Sequence, residues 1–238
     1  MRKMSTIMRR ELGAYFNSPI AYVVISVFLV LSAFLFFNAL FLQQQAELRE
    51  LFDGFWTTLL VAILGPAITM RLFAEERSND TLELLLTMPV TDWDIVLGKY
   101  CAALVLFGYA MLAMGCFAVT VAFLGPLDKG AAFAGFVGLY LTTATYMAIG
   151  LMASAFTKNQ IVAFLMAVTM CLLLWLVGKA VQVMPPSIQP FVDWIGVDNH
   201  IGNMARGVFD TRDLLYFFSI IASCLFITQT TLESRRWN

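Results

Sequence analysis

Six stretches of this chain approach or exceed the roughly 20 residues that a helix needs to cross the hydrocarbon of a bilayer. They run over about 20–42, 52–70, 100–125, 131–157, 159–178 and 214–232, the second being free of charge from Gly54 onward. Charges stand at or near their borders: Glu47, Arg71, Lys99, Asp128, Lys158, Lys179, Asp213 and Glu233. In hydrocarbon every backbone N–H and C=O needs a partner within the protein, and single runs of this length supply it as helices. The expected fold is therefore an all-α membrane protein with six transmembrane helices in one domain, 1–238. Composition agrees, with 60% apolar and only 13% charged residues, against about 45–50% and about 25% in soluble domains. Too few charges exist to coat a surface that faces water. A net charge of −1 gives nucleic acid no electrostatic footing.

Lysine and arginine set the orientation, because short cytoplasmic loops carry an excess of them. With both termini inside, the inner segments hold Arg2, Lys3, Arg9, Arg10, Arg71, Arg77, Lys99, Lys158, Arg235 and Arg236. The outer segments hold Arg49, Lys129, Lys179, Arg206 and Arg212, and ten against five favours this arrangement. The basic N-terminal residues precede a long apolar run without an A-x-A-like cleavage site, so they do not read as a secretory signal. Over 4–17, Met4, Ile7, Met8, Leu12, Tyr15 and Phe16 recur at helical spacing. That pattern predicts an amphipathic helix in the cytoplasmic interface, broken by Asn17-Ser18-Pro19.

The 71–99 segment is the longest inner loop. Asp80 and Glu83 stand at capping-box spacing before Leu82, Leu84, Leu85 and Leu86, and Pro89 stops the run. Thr91 and Asp94 form a second box at the start of the third span. A short helix this rich in leucine must bury its apolar face in the interface or in a partner's groove. In the outer segment 179–213, Ile188, Phe191, Val192 and Ile195 keep helical spacing, and Ile201, Met204, Ala205 and Val208 keep it again. Two short helices are expected there, dipping into the outer leaflet or capping the bundle, with Asp210-x-x-Asp213 capping the last span. Residues 157–160 make a tight hairpin between spans four and five.

Absences narrow the function. No ionisable residue is expected inside a span, which disfavours ion-coupled carriage. Thr142, Thr143, Thr145 and Ser154 read as helix–helix hydrogen bonders. The single histidine, His200, reads as solvent-facing or capping. Cys101, Cys116, Cys171 and Cys224 lie in apolar runs without metal-ligand spacing and read as small membrane residues. Gly98-Lys99-Tyr100 and Gly178-Lys179-Ala180 lack the upstream glycine and the hydroxyl of a phosphate-cradling loop. No catalytic group, metal or cofactor is expected, and any uphill transport must draw its energy from a partner.

The inner loop carries the most specific likeness. Met70-Arg71-Leu72-Phe73-Ala74-Glu75-Glu76-Arg77 leads to Asp80-Thr81-Leu82-Glu83-Leu84-Leu85-Leu86-Thr87-Met88-Pro89-Val90 and then to Gly98-Lys99. This resembles the type-2 ABC exporter permeases, the ABC-2 family, with Asp80 where a glycine is usual. Ser18-Pro19-Ile20-Ala21-Tyr22-Val23, Lys158-Asn159-Gln160, Gly207-Val208-Phe209-Asp210 and Arg235-Arg236-Trp237 are similar to its gliding-motility-associated subgroup. The resemblance implies a multi-pass protein of the bacterial inner membrane with an N-terminal interfacial helix and a cytoplasmic coupling helix between spans two and three. That helix would dock on a separate ABC ATPase, with Glu75, Glu76, Thr81, Leu82, Glu83, Leu84, Leu85, Leu86 and Pro89 as the coupling residues. It further implies a second permease copy or a related permease, and an auxiliary membrane protein with a large extracytoplasmic domain. The favoured function is the permease subunit of an ATP-driven exporter. A non-transporting mechanotransmission subunit is the alternative. An intramembrane enzyme is disfavoured, since no span carries a catalytic His, Asp or Glu.

Overall fold

The computed structural model of the chain describes residues 2–42, 48–81, 90–125, 128–181, 185, 189 and 194–236. Ten helices lie among them: α1 (Arg2–Phe16), α2 (Pro19–Leu42), α3 (Arg49–Asp53), α4 (Phe55–Thr69), α5 (Arg71–Ser78), α6 (Asp92–Leu124), α7 (Lys129–Phe156), α8 (Gln160–Ala180), α9 (Val197–Ala205) and α10 (Thr211–Arg236). Six helices are long and apolar enough to cross a membrane, the second being α4 and α5 taken together as Phe55–Ser78. Both chain termini therefore lie at one end of the bundle, called the terminal end here, and α3 and α9 lie at the far end.

The fourth span, α7, is the axis of the fold. Its most apolar window is 78% buried, whereas those of the first, fifth and sixth spans are 22–28% buried. It packs against α4, α8, α9 and α10. Close approach is possible because Gly150 has no side chain: a Cβ there would lie 3.0 Å from the Cα of Pro66 and closer still to the Thr69 hydroxyl. Thr142, Thr143 and Thr145 do not bond across to other helices as expected. Each donates its hydroxyl to the carbonyl four residues back in α7, at 2.8–3.0 Å, which satisfies the hydroxyl within its own helix.

Two span boundaries differ from the sequence expectation. The third span begins at Asp92 rather than at about 100, because the Thr91–Asp94 box forms in both directions and fixes the helix start. Its 33 residues extend about 50 Å at 1.5 Å per residue, well beyond the hydrocarbon thickness. The second span likewise continues through Ser78. The loop between them is thus much shorter than 71–99, and Lys99 lies inside a helix, 1% exposed. The expectation that charges only border the spans fails at that residue.

At the far end, α9 buries Val197, Ile201 and Met204 against α7, α8 and α3, so it caps the bundle. Val208 follows the helix and is exposed. Of the other expected outer helix, 188 and 190–193 lie outside the described residues. His200 is neither solvent-facing nor a helix cap: it is 7% exposed. Its Nδ1 lies 2.6 Å from Asp213 Oδ1, its Nε2 3.3 Å from the Trp194 carbonyl, and its ring stacks on Tyr216. Asp210 accepts from the Arg212 amide at the start of α10, whereas Asp213 turns away to His200 and Asn203. A hydrophobic cap needed an anchor, and this polar clasp supplies it.

Candidate functional site

The feet of the short inner loop, at the terminal end, hold a cluster of buried polar contacts. It begins with a break in the second span. Pro66 sits inside α4 and removes one helix hydrogen bond. Four residues on, the helix ends and restarts at Met70. The break leaves carbonyls of the first piece and amides of the second without helical partners. Ser154 of α7 fills the gap: its hydroxyl accepts from the amides of Phe73 (3.1 Å) and Ala74 (3.0 Å) and donates to the Met70 carbonyl (2.7 Å). In effect a side chain from another span caps α5. The Tyr15 hydroxyl of α1 donates to the freed Ile68 carbonyl at 2.8 Å. Burial pushes the Tyr15 hydroxyl well above the ordinary phenol range, so it stays a donor. Arg71 lies over the Tyr15 ring, 4.6 Å from its centroid, and Arg77 donates to the Ala155 carbonyl.

A charged knot joins three helices beside this break. Lys99 Nζ of α6 sits 2.8 Å from Glu76 Oε1 of α5 and 3.1 Å from Glu11 Oε1 of α1, and Arg10 reaches Glu76 from outside at 3.3 Å. The ammonium is 1% exposed and the two carboxylates 13–14% exposed. Gly98 makes the approach of α1 possible. A Cβ on it would stand 2.9 Å from Ile7 Cβ and 3.2 Å from the Met4 carbonyl. The Gly-Lys pair entering the third span therefore has two structural tasks, one steric and one electrostatic. The apolar face of α1 is spent on this contact, with Ile7 and Tyr15 buried against α6 and its neighbours.

The expected coupling residues divide accordingly. Glu76 is committed within the chain, while Glu75 is exposed. Thr81 is exposed and donates its hydroxyl to the Glu76 carbonyl at 3.2 Å. Leu82, Glu83, Leu84, Leu85, Leu86 and Pro89 lie outside the described residues. Asp80 has φ +53°, the left-handed backbone of a residue that ends a helix, not the extended backbone of an N-cap. It terminates α5, whose last bond runs from the Asn79 amide to Glu75. An aspartate in that conformation is less favourable than glycine, so its presence there costs more than the sequence suggests. Glu11, Lys99, Tyr15 and Ser154 were not expected as site residues. Only the break of α4 reveals why Tyr15 and Ser154 are needed, although the Gly98-Lys99 pair did stand out.

Removing the Ser154 hydroxyl should leave two amides and a carbonyl unbonded, at about 1–3 kcal/mol per buried group before relaxation. Ser154→Ala should therefore lower the thermal stability of the detergent-solubilised protein by about 2 kcal/mol or more, and Ser154→Thr should recover much of it. An Ala variant that melts like the parent would show that water fills the break equally well.

A second polar cluster lies at the far end. Lys179 pairs with Asp198 at 2.6 Å, and Asp53 is packed beside Gly202 of α9. Burial first, and then the negative charge of Asp198, push the Asp53 carboxyl up to about 6. Among the described residues no group of three or more His, Cys, Asp or Glu side chains could hold a metal ion.

No curated protein matches the chain in sequence. Over residues 6–228 it matches the family model of the ABC-2 family transporter proteins. With six spans, a pinned inner loop and a match over most of its length, the chain belongs to the ABC-2 family of transporter proteins and is a membrane component of such a transporter, not itself its catalyst.

Proposed function

We propose that the chain is the permease subunit of an ATP-driven exporter, and that the loop between α5 and α6 receives the stroke of a separate ABC ATPase. The terminal end then faces the cytoplasm of a bacterial cell and the far end faces outward, as the Lys/Arg distribution favours. Two permease copies, or one copy with a related permease, and two ATPase subunits form the working unit. The gliding-motility-type likeness adds an auxiliary membrane protein with a large extracytoplasmic domain.

The observation that carries the reading is the pinning of both feet of the loop. Glu76 at one foot and Lys99 near the other are joined at 2.8 Å, and Glu11 ties α1 to the same ammonium. Ser154 fixes α5 to the central span α7. A push on 82–89 would thus move spans two and three and the N-terminal helix together, as rigid-body transmission requires. A freely hinged loop would absorb the same push.

Purification of the chain with its ATPase from native membranes should yield equal numbers of the two subunits and two permease copies. One permease copy per assembly would sink the dimer. Orientation is read separately, after replacement of the four native cysteines. Cysteines at positions 44 and 189 should react with an impermeant thiol reagent from outside, and those at 5, 79 and 234 only once the inner face is opened. Outside labelling at 79 would reverse the topology.

A further inference from the structure

A groove runs between α2 and α4 at the far end of the bundle. Its outer lobe, about 600 Å³, is polar at the mouth, where Arg49, Glu50 and Asp53 meet Asn38 and Trp56. Its inner lobe, about 510 Å³, is lined by Leu31, Phe34, Leu59 and Ile63. The two lobes share Leu35, Asn38 and Trp56, so they form one continuous space. From Asn38 down to Leu31 the groove follows α2 for about 10 Å at 1.5 Å per residue.

Two polar side chains in this space have no hydrogen-bond partner among the described residues. Thr57, 1% exposed, has an Oγ1 without a hydrogen bond. Asn38 is exposed where the lobes join and makes no hydrogen bond to the described residues. An exposed amide at the edge of hydrocarbon offers a donor and an acceptor to whatever fills the groove. The mouth carries both signs of charge, one guanidinium and two carboxylates, while the floor is apolar. A small soluble solute has no use for the inner lobe. An apolar helix of a second copy would fill that lobe but leave Asn38 and the charged mouth unserved.

We propose that the groove binds one phospholipid of the outer leaflet with a primary-amine headgroup. An acyl chain lies along Leu31, Phe34, Leu59 and Ile63, the Asn38 amide meets the ester region, Arg49 holds the phosphate, and the ammonium faces Asp53 and Glu50. This rests on the reading that the far end faces outward, but not on the identity of the energy source.

The test is native mass spectrometry of the purified chain supplied with an equimolar mixture of phosphatidylethanolamine and phosphatidylglycerol. One lipid per chain should be retained, with the ethanolamine lipid favoured about tenfold, the scale of a charge-assisted contact. Leu59→Trp, which fills the inner lobe, should abolish the adduct, and Arg49→Ala should weaken it about tenfold. Phe123→Trp, on an exposed face of α6, should leave it unchanged. Equal retention of the two lipids, or an adduct that survives Leu59→Trp, would overturn the proposal. So would a photo-cross-linker at Leu59 that captures a second copy instead of lipid. The adduct is read without ATPase, and the thiol labelling above reads orientation, so failure of the lipid site and failure of the exporter reading are separable.

Discussion

Lys99→Met should be the most destabilising single change at the terminal end. The substitution keeps the length of the side chain but removes the charge that Glu11 and Glu76 share. Two carboxylates, each only 13–14% exposed, would then face each other without the ammonium between them, with exposed Arg10 at 3.3–3.7 Å and Arg71 lining the same pocket. Breaking a buried ion pair by deleting one partner costs about 3–5 kcal/mol, most of it the penalty of the charge left behind. The loss should be seen as reduced abundance in membranes and an earlier melting transition in detergent. The double change Glu11→Gln with Glu76→Gln on the Met background should recover much of the loss, because replacing a whole buried ionic cluster is far less harmful than orphaning part of it. That recovery separates the electrostatic account from simple loss of packing. If Lys99→Met melts with the parent protein, the ammonium is not the counterion of this site.

Much of the architecture was legible in the residues because lipid imposes length and hydropathy on every span. The Thr91–Asp94 box was readable for the same kind of reason: cap, spacing and helix start are local. What failed was the reading of charge as border. Lys99 looked like the edge of the third span, yet its partners are Glu11 and Glu76, 88 and 23 residues away in sequence. No window of sequence contains all three. His200 failed similarly, since Asp213 on α10 and the carbonyl of Trp194 decide its burial. The threonines of α7 show the opposite error. They were expected to bond between helices, but in a helix a hydroxyl can always reach the carbonyl one turn back. Of the four hydroxyls expected to bond between helices, Ser154 does so, because the break of α4 at Pro66 presents it with free amides.

The largest functional effect should come from the loop itself. The segment 82–89 stands between a left-handed helix stop at Asp80 and the box at Thr91, and it holds Leu82, Leu84, Leu85 and Leu86 with Pro89 at its end. In the proposed coupling role, these leucines are received by a groove of the ATPase. Leu84 and Leu85 are the expected anchors, each worth about 2 kcal/mol or more on truncation if buried at the centre of a contact. An aspartate adds the cost of an unpaired buried charge, so Leu84→Asp or Leu85→Asp should detach the ATPase or uncouple its hydrolysis. Permease abundance should stay normal, since the knot of Glu11, Glu76 and Lys99 and the Ser154 cap lie outside the segment. Glu83→Ala should weaken coupling with a milder loss of binding, as a rim charge steers docking more than it holds it. Glu75, the exposed member of the acidic pair, should behave like Glu83, whereas Glu76→Ala should act through stability. The deciding measurement is ATPase co-purification alongside complex-dependent hydrolysis. If both aspartate variants keep the ATPase and full activity, the stroke enters elsewhere and the leucines only rest in the membrane interface.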